Sequence, residues 1–219
     1  PELFPGPLNS GLFKKALDKK IWSLDVINIR DYAEDKHKSV DDTPFGGGSG
    51  MILRADVLAK SLDKNILSNK EPLIYLSPKG KKFDQFLAKK FANENLNLIC
   101  GHFEGVDQRI LETRNIEEIS IGDFVLSGGE IPAFVIIDSI VRLLPGVLGN
   151  SASLLEESFE NNLLEYPQYT KPQKWEEKKV PKPLLTGDHK KIKDWRLSQS
   201  EDITRRRRPD LWEKYKKKR

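Results

Sequence analysis

Cysteine is nearly absent from this chain of 219 residues, and histidine is scarce. A single cysteine, Cys100, excludes an internal disulfide and a zinc site built from several cysteines. The three histidines, His37, His102 and His189, lie far apart and lack the spacing of metal ligands. Cys100 ends an apolar segment, where we expect a small buried core residue. This composition favours a reducing compartment and argues against a metal centre held by cysteine or histidine.

Long apolar runs are missing as well. No stretch of 18 apolar residues occurs, so we expect no membrane span, and no signal-peptide pattern opens the sequence. Hydrophobic residues still make up 37% of the chain, which is enough for one large domain or two smaller ones. We therefore expect a cytoplasmic protein that does not act at a membrane.

Charge is divided unevenly along the chain. Residues 171–219 contain 18 lysines and arginines against 8 acidic residues, whereas residues 1–170 contain 19 against 25. The densest basic runs are Arg205–Arg208 and Lys214–Arg219. Either run alone is also typical of a solvated helix face. The bias across the whole C-terminal segment favours a polyanionic partner, for which RNA is the natural candidate.

Three apolar segments end near glycines. Leu73–Leu76, Leu96–Cys100 and Ile119–Ile121 each run into a glycine within four residues. Parallel strands of an α/β sheet bring such turns together at the carboxyl edge of the sheet, where ligands bind. The pattern predicts an α/β fold with a parallel sheet.

Apolar spacing and capping residues predict the remaining elements. A further strand is predicted at Asp25–Ile29, and helices are predicted at 10–22, 55–62, 81–93 and 132–145. Asp188 is a typical N-cap for a helix that continues to about Gln199, and Pro209 opens a last helix. Small polar residues at 150–153 are typical of a linker, and prolines interrupt the stretch that follows.

Ile119–Pro132 is the most informative segment. Its glycines flank Phe124–Leu126, a short apolar wall with backbone groups available for hydrogen bonds. Such a wall suits a flat, uncharged ring such as adenine. It does not suit a phosphate, since Gly129 is followed by Glu130 and not by the Lys-Ser/Thr of a phosphate loop. The same pattern also fits a plain tight turn between a strand and a helix.

These segments and several others resemble a known family. The chain resembles the bacterial tRNA (guanine-N(1)-)-methyltransferases of the SPOUT superfamily over nearly its whole length, with the spacing kept. In the first part of the chain the resemblance is carried by Arg30–Asp31, His37, Val40–Asp42, Pro44, Gly46–Gly48, Gly50–Met51, Tyr75–Pro78, Cys100–Gly101, Glu104–Gly105, Ser120–Asp123, Val125–Glu130, Pro132, Asp138–Ser139 and Pro145–Gly149. In the last part it is carried by Glu156, Ser158–Phe159, Tyr169–Thr170 and Trp195–Leu197.

The resemblance implies an α/β fold in which a SPOUT-type parallel sheet is tied in a deep trefoil knot and followed by a small helical C-terminal domain. It implies a knotted catalytic domain that binds S-adenosylmethionine at 1–149, a flexible linker at 150–170, and a basic helical domain that binds tRNA at 171–219. It also implies a homodimer whose active site is shared between the subunits. The family begins several residues earlier, with a first β-strand, so we expect the sequence to start inside that region.

In the family, the knot loops hold the methyl donor, S-adenosylmethionine, in a bent shape. By resemblance, the donor-binding residues of this chain are Tyr75, Leu76, Ser77, Pro78, Gly101, Glu104, Ile121, Gly122, Asp123, Phe124, Val125, Leu126, Gly128, Gly129 and Pro132. Asp41 and the loop Gly46–Gly50 are expected to position a guanine flipped out of its stack. No metal ligand is implied, and the resemblance leaves open whether Mg²⁺ assists.

The implied reaction is methylation of N(1) of guanine at tRNA position 37, beside the anticodon. That nitrogen carries a proton at neutral pH and needs a general base, and a guanidinium can stabilise the charge that grows on the adjacent carbonyl oxygen. The family has its catalytic arginine at the position of Arg142 and an aspartate base at the position of Glu157, with Glu156 as the alternative if the register shifts. From the residues alone, Arg142 is more typical of an i, i+4 ion pair with Asp138, and only the resemblance favours the catalytic role.

Two positions depart from the family pattern. His102 stands where the family commonly has arginine, and Phe103 where it often has tyrosine, so we expect RNA affinity or its pH dependence to differ. Two other functions stay open: a SPOUT methyltransferase that acts on a ribose 2′-hydroxyl or another base, and a non-catalytic RNA-binding protein. An enzyme that acts on the ribose would not need a base at Glu157, and a non-catalytic protein would have no reason to keep Gly128–Gly129 together with Arg142.

Overall fold

A computed structural model of the chain describes residues 1–66, 71–149 and 157–218. The chain divides into two compact units, Pro1–Gly149 and Asn150–Arg219. The predicted mixed α/β class with a parallel sheet and several helices is confirmed. The trefoil knot and the division of the chain into catalytic, linker and tRNA-binding segments stay predictions.

The elements of the first unit alternate between strands and helices. In chain order they are α1 (Gly11–Asp18), β1 (Asp41–Asp42), β2 (Ile52–Leu53), α2 (Ala55–Asn65), β3 (Leu73–Lys82), α3 (Gln85–Phe91), β4 (Asn97–Ile99), α4 (Gln108–Thr113), β5 (Glu117–Ser120) and α5 (Glu130–Val141). Short 3-10 helices lie at Gly6–Asn9 and Ile29–Tyr32. This alternation is the pattern expected of a parallel sheet with crossover helices.

The main sheet has three parallel strands in the order β4-β3-β5. Leu73 on β3 is opposite Asn97 on β4, and Ile74 is opposite Glu117 on β5. The pairing of β3 with β5 breaks after Leu76 and resumes at Lys81. Residues 77–80 therefore leave the ladder and form a loop in the middle of β3, where the sequence predicted a turn at the end of the strand.

Helices cover both faces of this sheet, because successive side chains of a strand point to opposite faces. Ile74 and Leu76 pack in one buried cluster with residues of α3 and α5, including Phe91 and Ile136. Tyr75, between them, packs in a second cluster with residues of α2 and α4. With apolar side chains buried on both sides, the sheet forms the middle layer of the unit, and its strands end among the loops that follow.

Several predicted elements have different boundaries, and one is wrong. Asp25–Ile29 is not a strand: Val26 and Ile27 are 43% and 45% exposed, and the Asn28 side chain accepts a hydrogen bond from the Arg30 amide and starts a 3-10 turn. The helix predicted from residue 81 begins at Gln85, because β3 continues to Lys82 and Asp84 supplies the N-cap.

The second unit has little strand structure. A 3-10 turn at Glu160–Asn162 is followed by the hairpin strands β6 (Lys174–Trp175) and β7 (Lys178–Lys179) and by a 3-10 turn at Lys182–Leu185. Two helices complete it, α6 (His189–Arg207) and α7 (Pro209–Lys218). Asp188 caps α6 as predicted, but α6 continues well beyond Gln199.

Thr204 joins the parts of the second unit. Its side chain is fully buried, its hydroxyl donates to the carbonyl of Ser200 at 2.6 Å, and the same oxygen accepts from the amide of Leu164 at 2.8 Å. The Tyr215 hydroxyl on α7 donates to Glu201 on α6 at 2.6 Å. Leu164, which precedes the basic segment, is thus bonded to α6, the helix that carries Arg205–Arg207.

Candidate active site

A cavity of about 280 Å³ lies among the loops that leave the main sheet. It is formed by the loop within β3, the loop after β4 and the loop between β5 and α5. Every residue predicted to bind the methyl donor lines it except Asp123, which is exposed and lies outside the lining. Lys79, His102, Phe103, Gly105 and Ser127 also line the cavity, although they were not predicted to bind the donor.

Backbone hydrogen bonds hold the cavity loops to one another. The amide of Gly129 donates to the carbonyl of Gly101 at 2.8 Å, and His102 forms an antiparallel bridge with Gly128. The amide of Glu104 donates to the carbonyl of Met51 at 3.0 Å, which attaches the end of the glycine-rich loop. The loop after β4 and the segment before α5 therefore form one connected rim of the cavity, which is also bonded to the end of the glycine-rich loop.

Two glycines of the rim are required by close contacts. A Cβ at Gly129 would lie 2.6 Å from the Cα of Cys100 and 2.8 Å from the amide nitrogen of Gly101. A Cβ at Gly101 would lie 2.6 Å from Cε2 of Tyr75. Backbone atoms cannot give way as a flexible side chain can, so Gly129 is the position where any larger residue must separate the loops.

Gly80 explains why the chain can loop out of β3 and return. A Cβ at this position would collide with the backbone of Glu118 and Ile119 on β5. Because the chain passes so close to β5, it can resume pairing at Lys81 after the interruption. The sequence identified Gly80 as a turn residue but gave no sign that the same strand continues beyond it.

The apolar wall predicted between the glycines is open to solvent. Phe124, Val125 and Leu126 are 53%, 85% and 40% exposed, and Phe103 across the cavity is 57% exposed. Large exposed apolar side chains that line a concave site are typical of a surface that binds an aromatic ligand or a partner.

A side-chain hydrogen bond that the sequence did not predict lies at the cavity edge. His102 Nε2 lies 2.6 Å from Glu130 Oε1, and the Glu130 side chain is only 12% exposed. Glu130 is the first residue of α5, where the helix dipole favours a carboxylate. The pair therefore links the loop after β4 to the start of α5. Its two residues are 28 positions apart in the sequence, a separation at which no local pattern predicts a contact.

Burial sets the chemistry of two groups beside the cavity. It raises the pKa of the Cys100 thiol to about 12, so the thiol stays protonated at neutral pH and is a poor nucleophile. Burial likewise raises the pKa of the Tyr75 hydroxyl. Both groups are therefore uncharged at neutral pH. Cys100 is only partly buried and packs against the core cluster around Ile74, so the expectation of a fully buried core residue is not met.

Arg142 lies at the end of α5 and outside the lining of the cavity. Its amide donates to the carbonyl of Asp138 at 3.2 Å. Desolvation raises the pKa of the Asp138 carboxyl, and the nearby charge of Arg142 opposes that rise. The i, i+4 neighbourhood considered from the sequence is therefore present, and the catalytic role of Arg142 stays a prediction.

Glu157 belongs to the second unit and is half-buried at the start of a compact turn. The amide of Phe159 donates to the carbonyl of Leu163 at 2.6 Å, and the amide of Glu165 donates to Ser158 Oγ at 3.0 Å. These bonds hold the backbone on the C-terminal side of Glu157. The alternative base, Glu156, lies outside the described residues.

The residues of the cavity fit S-adenosylmethionine. The apolar wall Phe124–Leu126 suits an adenine ring, and the exposed carboxylate of Glu104 suits a cationic amino group. The glycines leave space that a Cβ would fill. For a metal the finding is different: among residues 1–66, 71–149 and 157–218, no three His, Cys, Asp or Glu side chains form a group that could hold an ion.

Within the parts of the chain that the structure describes, no helix is both long and apolar enough to cross a membrane.

Comparison with known proteins places this site in a family. Residues 1–214 match a family model described as tRNA (Guanine-1)-methyltransferase TrmD. The chain is 72% identical over 99% of its length to the tRNA (guanine-N(1)-)-methyltransferase of Pelagibacter ubique, of which it covers 95%. It is 55% identical over its whole length to the enzyme of that name from Bartonella tribocorum, covering 94% of it. For the Brucella canis enzyme, the identity is 53% over the whole chain and the coverage 89%. The chain belongs to the tRNA (guanine-1)-methyltransferase family, whose members are SPOUT enzymes.

Proposed function

We propose that this protein transfers a methyl group from S-adenosylmethionine to N(1) of guanine at position 37 of tRNA, in the cytoplasm. The observation that carries the proposal is the match to the tRNA (guanine-1)-methyltransferase family across residues 1–214. Such a match covers both units, so it includes the donor cavity and the basic segment together. A domain that shared only the fold would not need to keep both.

The donor is held by the cavity of the first unit. Phe124–Leu126 would hold its adenine, and the backbone groups of the rim would hydrogen-bond to the edge of the ring. Glu104 would bind the amino group of the donor, and Gly101 and Gly129 keep the segments of the rim close to each other. When bound, S-adenosylmethionine supplies an electrophilic methyl group on a sulfonium. The neutral side chains of Tyr75 and Cys100 present no competing nucleophile there.

The guanine is activated by two side chains of this chain. Glu157 takes the N(1) proton, since a carboxylate within hydrogen-bond reach is a competent general base for that step. Arg142 directs its guanidinium at the guanine carbonyl oxygen, where negative charge grows as the proton leaves. Glu157 has the same chemistry as the aspartate of the family, with one more methylene between the backbone and the carboxylate.

The active form is a homodimer in which each donor cavity is completed by the other subunit. Support for this comes from the position of Arg142 outside the lining of the cavity. A second copy would bring its own catalytic side chains to the cavity. The sheet would be tied in a trefoil knot, with the loop at residues 77–80 as part of it.

The C-terminal segment 171–219 binds tRNA through its excess of lysines and arginines. Phosphate contacts of this kind supply affinity with little sequence preference, so the choice of guanine falls to the active site.

One experiment tests the proposal. The protein is incubated with labelled S-adenosylmethionine and unmodified tRNA transcripts that carry guanine or adenine at position 37, and the products are digested to nucleosides. We expect label in 1-methylguanosine from the guanine transcript only. A label in a ribose-methylated nucleoside or in another base would identify a different SPOUT activity. Absence of both label and donor binding by calorimetry would indicate a non-catalytic RNA-binding protein.

A further inference from the structure

The β6–β7 hairpin of the second unit presents an exposed tryptophan. Residues 171–179 are all exposed, and the Trp175 side chain is 63% exposed. The strands pair antiparallel, with Lys174 opposite Lys179 and Trp175 opposite Lys178. The amide of Val180 donates to the carbonyl of Gln173 at 3.0 Å and closes the ladder. The indole is thus held on a formed backbone element and not on a loose loop.

This exposure sets Trp175 apart from the tryptophans on the helices of the same unit. Trp195 lies 6.2 Å from the ring of Tyr169, and Trp212 lies 5.5 Å from the ring of Tyr215. Within the described residues Trp175 has no such ring neighbour. A two-stranded hairpin gains little stability by itself. An indole that leaves most of its surface in water contributes little to the stability of the fold. Its position therefore indicates a contact with another molecule.

The charge around the indole specifies the partner. Residues 171–182 contain five lysines and two glutamates. One lysine, Lys174, is 3.3 Å from Glu177. Lys178 is the cross-strand neighbour of Trp175, and directly opposed residues of an antiparallel pair project from the same face of the ladder. An aromatic ring and an ammonium therefore share one face of the hairpin.

We propose that this face binds an unpaired base of the tRNA, with the base stacked on the indole of Trp175 and an adjacent phosphate bound by Lys178. Every base has a flat π-face, so stacking on an aromatic side chain combined with a nearby cation is the usual way to bind single-stranded nucleic acid. A paired base could not present its face to the indole. The proposal rests on the proposed tRNA substrate and assigns to the hairpin one contact within it.

The test compares variants of the full-length protein for binding to an unmodified tRNA transcript across a salt series. Trp175→Ala should raise the Kd about 5- to 150-fold, the range for loss of one stacked base, and leave the salt slope unchanged. Trp175→Phe should retain most of the affinity. Lys178→Ala should lower the log–log salt slope by about 0.7 to 0.9, the value of one phosphate contact. Phe86→Ala, at an aromatic residue that is 76% exposed on α3, is the matched control and should bind as the parent does.

Competition with short RNAs of equal length separates the kinds of contact. A single-stranded RNA should displace tRNA from the parent more effectively than a duplex does, and Trp175→Ala should remove that preference. Equal Kd values for the parent and Trp175→Ala would overturn the inference, as would a Trp175→Ala variant whose loss of tRNA binding appears only in the salt slope. If 1-methylguanosine still forms with saturating tRNA, the proposed function stands in either case. Failure of the parent to methylate tRNA would count against the function itself.

Discussion

The two units of this protein reach specificity by different physical means. In the first, the donor cavity depends on backbone segments that approach more closely than a Cβ would permit, as at Gly129 and Gly80. In the second, most charged residues are exposed, and many pair with a neighbour on their own helix, as Arg206 does with Asp202. A single larger side chain at one of these glycines would disturb the cavity. In the second unit, each exposed charge contributes only a small part of the binding free energy.

The energetic consequence follows from this difference. Exposed ion pairs contribute little each because water and salt screen them, so no single arginine of α6 should dominate tRNA binding. A collision between backbone segments cannot be screened and must be relieved by movement of the loops. We therefore expect single substitutions to be severe in the first unit and mild on the basic surface, and removal of the whole surface to be severe.

The largest effect should come from separating the units. A protein cut after Gly149, the end of the first compact unit, should lose measurable tRNA binding and keep most of its donor affinity, since the whole lining of the cavity lies before that residue. Filter binding measures the first quantity and calorimetry the second, with circular dichroism to check the fold. Retained tRNA binding by the shortened protein would show that the two units are not functionally distinct.

Glu157 is expected to show the next largest effect. Glu157→Gln keeps the shape of the side chain and removes its basicity, so turnover should fall about 10²- to 10⁴-fold, the usual contribution of a general base. Donor binding should not change. Single-turnover methylation with saturating tRNA and donor measures the chemical step directly.

Two neighbouring variants test the register of that assignment. Glu157→Asp should retain much of the activity, because it restores the carboxylate that the family carries at this position. Glu156→Gln should have a far smaller effect than Glu157→Gln. If Glu156→Gln is inactive and Glu157→Gln is active, the general base is Glu156. If both variants are fully active, this segment does not supply the base.

Gly129→Val tests the close packing of the first unit. A side chain here must push the segment at Gly129 away from Cys100 and Gly101. Because this separates two segments of the rim, donor affinity should fall on the order of 10²-fold. Gly128→Val should act in the same direction, because its Cβ would lie 2.7 Å from Glu130 Oε2. Calorimetry with S-adenosylmethionine gives the affinity.

Gly149→Val is the matched control for these substitutions. It makes the same chemical change at a glycine whose added Cβ would meet nothing within 4 Å. It should bind the donor as the parent does. Equal losses in Gly129→Val and Gly149→Val would mean that glycine content in general, and not this contact, is what the site requires.

Sequence patterns predicted the parts of the site that depend on local chemistry. The strands at Leu73, Leu96 and Ile119, the cap at Asp188 and the membership of the family could all be predicted, since each leaves a signal in neighbouring residues. The continuation of β3 beyond Gly80 could not, because it depends on how closely the chain passes β5. The false strand at Asp25–Ile29 has the opposite cause: its apolar residues suit a strand, but no partner strand lies beside them within the described residues.

The smallest effect is expected at the hydrogen-bonded pair of His102 and Glu130, a contact that the sequence also did not predict. His102→Ala leaves a nearly buried carboxylate without its nearest donor, and the loop after β4 loses one of its ties to α5. A hydrogen bond to a charged group is worth about 1.5–3 kcal/mol, and part of it is recovered by water at the exposed side of the cavity. Donor affinity should therefore fall about 5- to 30-fold.

A rescue experiment decides whether this pair positions the site or only stabilises the fold. Because a guanidinium can donate to the same carboxylate, His102→Arg should bind the donor nearly as the parent does. Glu130→Gln should weaken donor binding in the parent but have little further effect in His102→Ala, since the two residues act through one contact. Additive losses in the double variant would show that the residues act independently. The close packing at Gly129 would then hold the rim together without help from the pair, and the contrast between the two units would be sharper still.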